Sequence, residues 1–193
     1  MNYTKHSLKC TLTLIVTALL LYSCGAKDSY QTVTVENKYE LTLPSFLSKT
    51  SDLNDDASLQ YQNAIREFYA IVIYEPVIDL EEALEEGGLA DNYKNDISGY
   101  SKLMIDNFKE SLINPVVSKA TDTIINNMPA KIVSLKAQID DLDIFYAIGL
   151  YQGEEDYYQL LTWTLANKEN RNKEEMNKIL YSLKEVETTE VAE

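Results

Sequence analysis

The chain has 193 residues, with 17 Lys and Arg against 31 Asp and Glu, and a formal net charge of −14 at pH 7. So negative a balance is repelled by nucleic acid and by anionic lipid, which argues against nucleic-acid binding. Its single histidine, His6, and its two cysteines, Cys10 and Cys24, all precede Gly25. The chain beyond Cys24 therefore has no imidazole and no thiol. That excludes Ser-His-Asp and Cys-His nucleophilic catalysis, zinc sites of the Cys/His kind and disulfide bonds in that part.

At the N-terminus, Lys5, His6 and Lys9 form a positive end. Thr11–Tyr22 forms an apolar core of about a dozen residues, short of the roughly 20 a membrane-spanning helix needs. It runs into Leu21-Tyr22-Ser23-Cys24, with the small Ser23 before the cysteine and Gly25 after it. This arrangement resembles a bacterial lipoprotein signal with its lipobox. Tyr22, where a small residue is usual, is similar to the looser lipobox of Bacteroidetes-type bacteria, and Lys27-Asp28 is faintly similar to their surface-export signal. The resemblance implies a signal peptide over 1–23, cleavage before Cys24 and lipid on that cysteine. Residues 24–29 then read as a tether. It implies a protein of the bacterial cell envelope, an outer-membrane lipoprotein on the periplasmic side or the cell surface. Two or more acyl chains anchor stably where one does not. Loss of Lys5 and Lys9 takes the formal charge from −14 to −16.

Tyr30–Val35 alternates apolar and polar residues and reads as a strand, and so does Tyr39–Leu43 after the turn signal Asn37-Lys38. Pro44 stops it. Ser45–Asp56 reads as a polar loop pinned by Phe46, Leu47 and Leu53. Ser58–Gln62 and Glu67–Tyr74 read as a hairpin turning near Asn63–Arg66. Its second arm is apolar on both faces, as a strand covered from both sides requires. Pro76 ends it.

Asp79–Glu86 reads as a short helix capped by Asp79 and stopped by Gly87-Gly88. Ile97–Leu112 reads as a longer one, with Tyr100, Met104, Phe108 and Leu112 at helical spacing, and Pro115 after it. Strands follow over Val116–Ile125, Ala130–Ile139, Leu142–Tyr151 and Asp156–Leu165. The turns are Asn126–Pro129, Asp140-Asp141 and Gln152–Glu155. Val133, Leu135, Ala137 and Ile139 share one face, and Tyr157, Leu161, Trp163 and Leu165 another, which places Trp163 in the core. The last helix starts near Asn172, which forms a capping box with Glu175, and buries Met176, Ile179, Leu180 and Leu183. The acidic end from Glu185 reads as a disordered tail, 187–193 beyond a single domain over 30–186.

Hairpins with separate helices give an α+β fold, an antiparallel β-sheet flanked by helices on both faces in an α/β/α sandwich. The segments Tyr39–Pro44, Ala57–Asn63 running into Glu67–Ile73, Asn127–Ala130, Tyr157–Thr164 and Ile179–Lys184 resemble the PsbP-like superfamily. That superfamily is shared by photosystem II extrinsic proteins, Ran-binding Mog proteins and many bacterial lipoproteins of unknown role. Asn127-Met128 departs from the Asn-Gly common there. The resemblance covers most of 30–186 and implies binding or assembly roles more often than catalysis. It carries over no catalytic residue and no cofactor.

Carboxylates are the remaining groups with chemistry to offer. Asp140, Asp141 and Asp143 form one cluster, and Glu154, Glu155 and Asp156 another. If these turns lie at opposite ends of a strand about 30 Å long, they are too far apart for a glycosidase pair, and both read as solvated turns. Asp52–Asp56 hints at a calcium loop, but position six is Ala57 and position twelve Asn63, where glycine and glutamate are required. It reads as an exposed loop. Tyr61, Tyr69, Tyr74, Tyr146, Tyr151, Tyr157 and Tyr158 fall on expected strands and read as core.

The expectation is therefore a lipid-anchored envelope protein that binds or scaffolds an envelope protein or glycan, with no catalytic residue, metal or cofactor. Two alternatives stay open: a carboxylate-based hydrolase of envelope glycan, and a small-ligand receptor using a tyrosine-rich face.

Overall fold

Period-two alternation over Tyr30–Val35 (β1) and Tyr39–Pro44 (β2) builds an antiparallel pair in which Val33 faces Leu41. The computed structural model describes residues 29–186. The turn joining the two strands places Glu36 and Asn37 at φ 50° and 57°. Two successive left-handed residues match the twist of the flanking strands. A short strand near the C-terminus, Lys184–Glu185 (β11), pairs with Glu40 and Tyr39 and completes a three-stranded sheet, β1-β2-β11.

The larger sheet has eight strands. They are Ser48–Lys49 (β3), Leu59–Asn63 (β4), Phe68–Pro76 (β5), Ile113–Val117 (β6), Thr121–Ile125 (β7), Met128–Ile139 (β8), Leu142–Gln152 (β9) and Asp156–Leu165 (β10). Their order is β3-β4-β5-β10-β9-β8-β6, with β7 also on β8, and their pairings are antiparallel. The central strands are apolar on both faces because both faces are buried. In β5, Phe68, Ala70 and Val72 enter one core cluster and Ile71 the other. Among the described residues three helices supply cover: Val77–Glu86 (α1), Ile97–Ser111 (α2) and Glu169–Leu180 (α3). Leu80 and Leu84 of α1 and Tyr100 of α2 pack with Val133, Leu135, Ile148 and Leu150. Met176, Ile179 and Leu180 of α3 pack with Tyr39, Leu41 and Leu43 of the small sheet. The chain is thus an antiparallel α+β fold, and α3 shares its cluster with the three-stranded sheet.

Several boundaries differ from the sequence reading. Val116–Ile125 is two strands: β6 ends at Val117 and β7 starts at Thr121, with residues 118–120 set against only 133–134 of β8. β6 also begins earlier, at Ile113, with Asn114 at φ 50°, Pro115 inside it and a register shift between Ile113 and Val116. A proline that cannot donate to the ladder is tolerated there because β6 is an edge strand. The turn before β8 is only Asn126-Asn127, at φ 47° and 71°, and Met128-Pro129 already belongs to the strand. Helix α1 begins at Val77 with Pro76 as its N-cap, so Asp79 sits in the first turn and does not cap.

Helix α3 begins at Glu169 after a 3-10 turn over Ala166–Lys168. Asn172 therefore lies inside the helix, buried, where its Nδ2 donates to Thr164 Oγ1 at 2.8 Å in place of a capping box. Glu185 pairs in β11 and is not part of a tail. Trp163 is half-buried, stacked on Tyr69 with ring centroids 5.2 Å apart. The signal peptide, the lipobox residues Leu21, Tyr22 and Ser23, Cys24, the tether up to residue 28 and the stretch 187–193 lie outside the described residues.

Candidate functional site

Three segments far apart in sequence meet at one end of the two sheets: the β1–β2 turn, the β9–β10 turn and β11. Lys38 Nζ lies 2.5 Å from Asp156 Oδ2. The Asp156 residue is only 3 % exposed, and its Oδ1 has no hydrogen-bond partner among the described residues. Backbone bonds fasten the segments together. Gly153 N donates to Asp156 O, Val77 N to Glu155 O and Val186 N to Lys38 O, each at 2.8 Å.

Glu185 reaches across from β11. Its carboxylate accepts from Glu154 N at 3.1 and 3.3 Å and from the Tyr158 hydroxyl at 3.0 Å. Gly153 makes this approach possible: a Cβ there would lie 2.2 Å from Glu185 Oε1 and 2.8 Å from Tyr158 Cε2.

Aromatic rings back this corner. Tyr39, Tyr74 and Tyr158 pack on one another with centroids 5.6 to 6.5 Å apart, and Lys38 Nζ sits 4.9 Å from the Tyr74 ring centre, a cation–π distance. The Tyr74 and Tyr158 hydroxyls are held as donors. Tyr74 donates to Glu36, whose carboxylate, with burial, pushes the phenol up to about 12. Burial first, and Glu185 second, push Tyr158 up. Burial likewise raises Tyr39, against the hydrogen bond it shares with Ser58 at 2.7 Å. None of these phenols is a base near neutral pH. In front of them lies an open cavity of about 550 Å³, lined by Lys38, Glu154, Glu155, Asp156, Tyr158 and Glu185. Among the described residues, four carboxylates against one ammonium make it a place for positive charge.

No family model matches the chain, and no curated protein sequence matches it. Among solved structures it is similar to cyanobacterial PsbP from Synechocystis sp. PCC 6803, with 11 % identity and a TM-score of 0.53, over 83 % of this chain and 96 % of that one. The fold is PsbP-like. Two further structures are similar at lower scores. PA94, a protein of unknown function from Pseudomonas aeruginosa, has 11 % identity and a TM-score of 0.49, over 79 % of this chain and 94 % of that one. LpqN, involved in cell envelope biogenesis of Mycobacterium tuberculosis, has 9 % identity and a TM-score of 0.49, over 85 % and 88 %.

The PsbP-like topology decides which of the expected groups meet. Asp140-Asp141 and Glu154-Glu155 lie beyond opposite ends of β9, which at about 3.3 Å per residue keeps the two clusters tens of ångströms apart. They do not form a pair. Asp140 and Asp141 are the two left-handed residues of the β8–β9 turn, at φ 48° and 65°, and Asp143 accepts from Gln138 Nε2.

The Asp52–Asp56 loop is organised from within. Gln60 Oε1 accepts from Leu53 N and Asn54 N, Gln60 Nε2 donates to Asn54 O, and Asp56 N donates to Asn54 Oδ1. Among the described residues no group of three His, Cys, Asp or Glu side chains is placed to hold a metal ion. Of the tyrosines, Tyr61, Tyr151, Tyr157 and Tyr158 are buried, whereas Tyr69, Tyr74 and Tyr146 are half-buried. Tyr151 donates to Leu180 O at 2.7 Å in the core.

Sequence reasoning placed Glu154, Glu155 and Asp156 in a solvated turn and missed Lys38, Tyr74 and Glu185 as their partners. The adjacent signal was the Asn37-Lys38 turn. Nothing in the spacing announces that it faces a turn more than a hundred residues away.

Proposed function

We propose that this chain is a lipid-anchored cell-envelope protein with a non-catalytic binding or scaffolding role, and that it engages its partner through the acidic corner around Asp156. The lipobox-like run ending at Cys24 supports the anchor and a place at the outer membrane, on the periplasmic side or the surface. We read the architecture as three layers: α1 and α2 over one face of the large sheet, and α3 with the small sheet over the other. The two separate core clusters support that reading.

The observation that carries the binding role is the buried Asp156 carboxylate, half satisfied by Lys38, at the back of a carboxylate-lined cavity. A buried charge is costly unless paired, so a partner able to complete that pairing is favoured there. The other groups at this corner include phenols held protonated and the Glu36 and Glu185 carboxylates, which already accept hydrogen bonds, a constellation suited to recognition.

Two measurements test the reading. Detergent phase partition is expected to find the chain in the detergent phase and its Cys24→Ala variant, unprocessed, without lipid. A photo-crosslinking residue at position 155 in intact cells is expected to capture one discrete partner, and the same residue at position 141, beyond the far end of β9, to capture none. Equal labelling from both positions refutes the acidic corner as the binding face.

A further inference from the structure

We infer that the cavity around Asp156 is a site for an organic ammonium ion, a free polyamine or a lysyl side chain. The inference rests on the binding role proposed above and adds the chemistry of the ligand. Its selectivity begins with charge. Among the described residues Glu154, Glu155, Asp156 and Glu185 face Lys38 alone in the cavity lining, so anions are repelled and cations drawn in.

Hydrogen bonding narrows the class. Glu185 already accepts from Glu154 N and Tyr158, and Asp156 Oδ2 is held by Lys38. Asp156 Oδ1 is left, a carboxylate oxygen inside a residue 3 % exposed, with no donor to it among the described residues. A calcium ion needs 6–8 oxygens and magnesium a full octahedron. Supplying either would break the contacts of Glu185 with Tyr158 and Glu154 N, which an ammonium on Asp156 leaves in place. An ammonium carries three donors and no acceptor, so it needs only Asp156 Oδ1 and the rim oxygens of Glu154 and Glu155.

The chain itself shows that the corner accommodates this group. Lys38 already places an ammonium between a carboxylate at 2.5 Å and an aromatic face at 4.9 Å. Its side chain is 33 % exposed and that of Asp156 4 %, so Lys38 stands on the solvent side of the carboxylate. Asp156 Oδ1 is itself out of contact with solvent, so a ligand ammonium reaches the carboxylate by displacing Lys38. A cavity of about 550 Å³ exceeds what one ammonium fills and has the size of a site for an alkylamine chain.

The test is calorimetric titration of the full chain in non-ionic detergent with spermidine and, separately, with N-acetyl-lysine amide. Binding of either is expected, and their ratio separates the two sources. Spermidine tighter by tenfold or more assigns a free polyamine, and comparable affinities assign a lysyl side chain. Lys38→Ala, which removes the internal competitor, is expected to tighten binding about tenfold. Asp156→Asn is expected to abolish it, Glu155→Gln to weaken it, and Asp141→Asn to leave it unchanged. Tetramethylammonium, which has no N–H, and Ca²⁺ are expected not to compete.

Should Asp156→Asn fail to fold, the opposite signs expected of Lys38→Ala and Glu155→Gln still decide the matter. Absence of binding at millimolar amine, binding indifferent to Lys38 and Glu155, or displacement by Ca²⁺ overturns the inference. These titrations use the isolated chain, so their failure leaves the crosslinking result from position 155 standing, and the reverse holds too.

Discussion

The Lys38 ammonium and the Asp156 carboxylate meet at 2.5 Å across 118 residues of sequence, and that contact ties the three-stranded sheet to the large one. Lys38 belongs to the turn of β1–β2, and Asp156 opens β10, where it pairs with Pro76 at the end of β5. The carboxylate is buried and the ammonium only partly so, hence the two residues are not equivalent to lose.

Lys38→Met leaves a buried, uncompensated carboxylate. Breaking a fully buried pair costs about 3–5 kcal/mol. The exposure of Lys38 screens this one, so a loss of about 2–3 kcal/mol is expected. The double variant Lys38→Met with Asp156→Asn is expected to recover most of that loss, because an amide needs no counter-charge. Urea unfolding of the two variants measures both. A double variant less stable than Lys38→Met would show that the pair is not what couples them.

Gly153→Ala drives a Cβ into Glu185 and Tyr158. The carboxylate of a β11 residue can yield more readily than the β9–β10 turn, so β11 is expected to lift away from β2. Amide hydrogen exchange should then accelerate at Glu154 and Val186, whose N–H groups bond Glu185 and Lys38 O. Exchange at Leu160 and Ile148, in the core of β10 and β9, should stay slow. Uniform acceleration would mean that Gly153 supports the whole domain.

Glu75 gives a pH dependence. Burial raises its carboxyl above the ordinary 4.5, the Tyr100 hydroxyl opposes the shift, and Asp79 adds to it. Between the unfolded and the raised folded value the folded state binds more protons, so stability falls as pH rises through that window. Above it Glu75 is a net cost. Glu75→Gln is therefore expected to raise Tm at pH 7 and to have no effect below about pH 4, where both states are protonated. Equal stabilisation at both pH values would place the effect in packing and not in charge.

Asn172→Ala removes the buried bond to Thr164 and leaves that hydroxyl without its helical partner. A cost of about 1–3 kcal/mol is expected for such a group. Because Asn172 is not a cap, helix content by circular dichroism is expected to be unchanged at low temperature. A shorter α3 would restore the capping reading.

Much of this molecule is decided locally. Alternation over Tyr30–Val35 and Tyr39–Pro44, the two-faced apolar runs of β5 and β9, and the stripe Met176, Ile179, Leu180 specify strands and a helix wherever they are placed, because period and burial are tied by backbone geometry. The absence of imidazole and thiol beyond Cys24 is likewise a property of composition alone. Where local signals misled, a competing tertiary effect was stronger. Asn172 looks like a cap until Thr164 claims its amide. Pro115 looks like a stop until an edge position makes its missing N–H harmless. Glu185 looks like tail until β2 offers it a pairing edge.

The acidic corner belongs wholly to that second kind. Lys38 in the β1–β2 turn and Tyr74, Asp156 and Glu185 on three strands come from two sheets, and their charges acquire meaning only when the chain closes. Burial by the packed rings then removes the water that would otherwise screen a carboxylate from its neighbours.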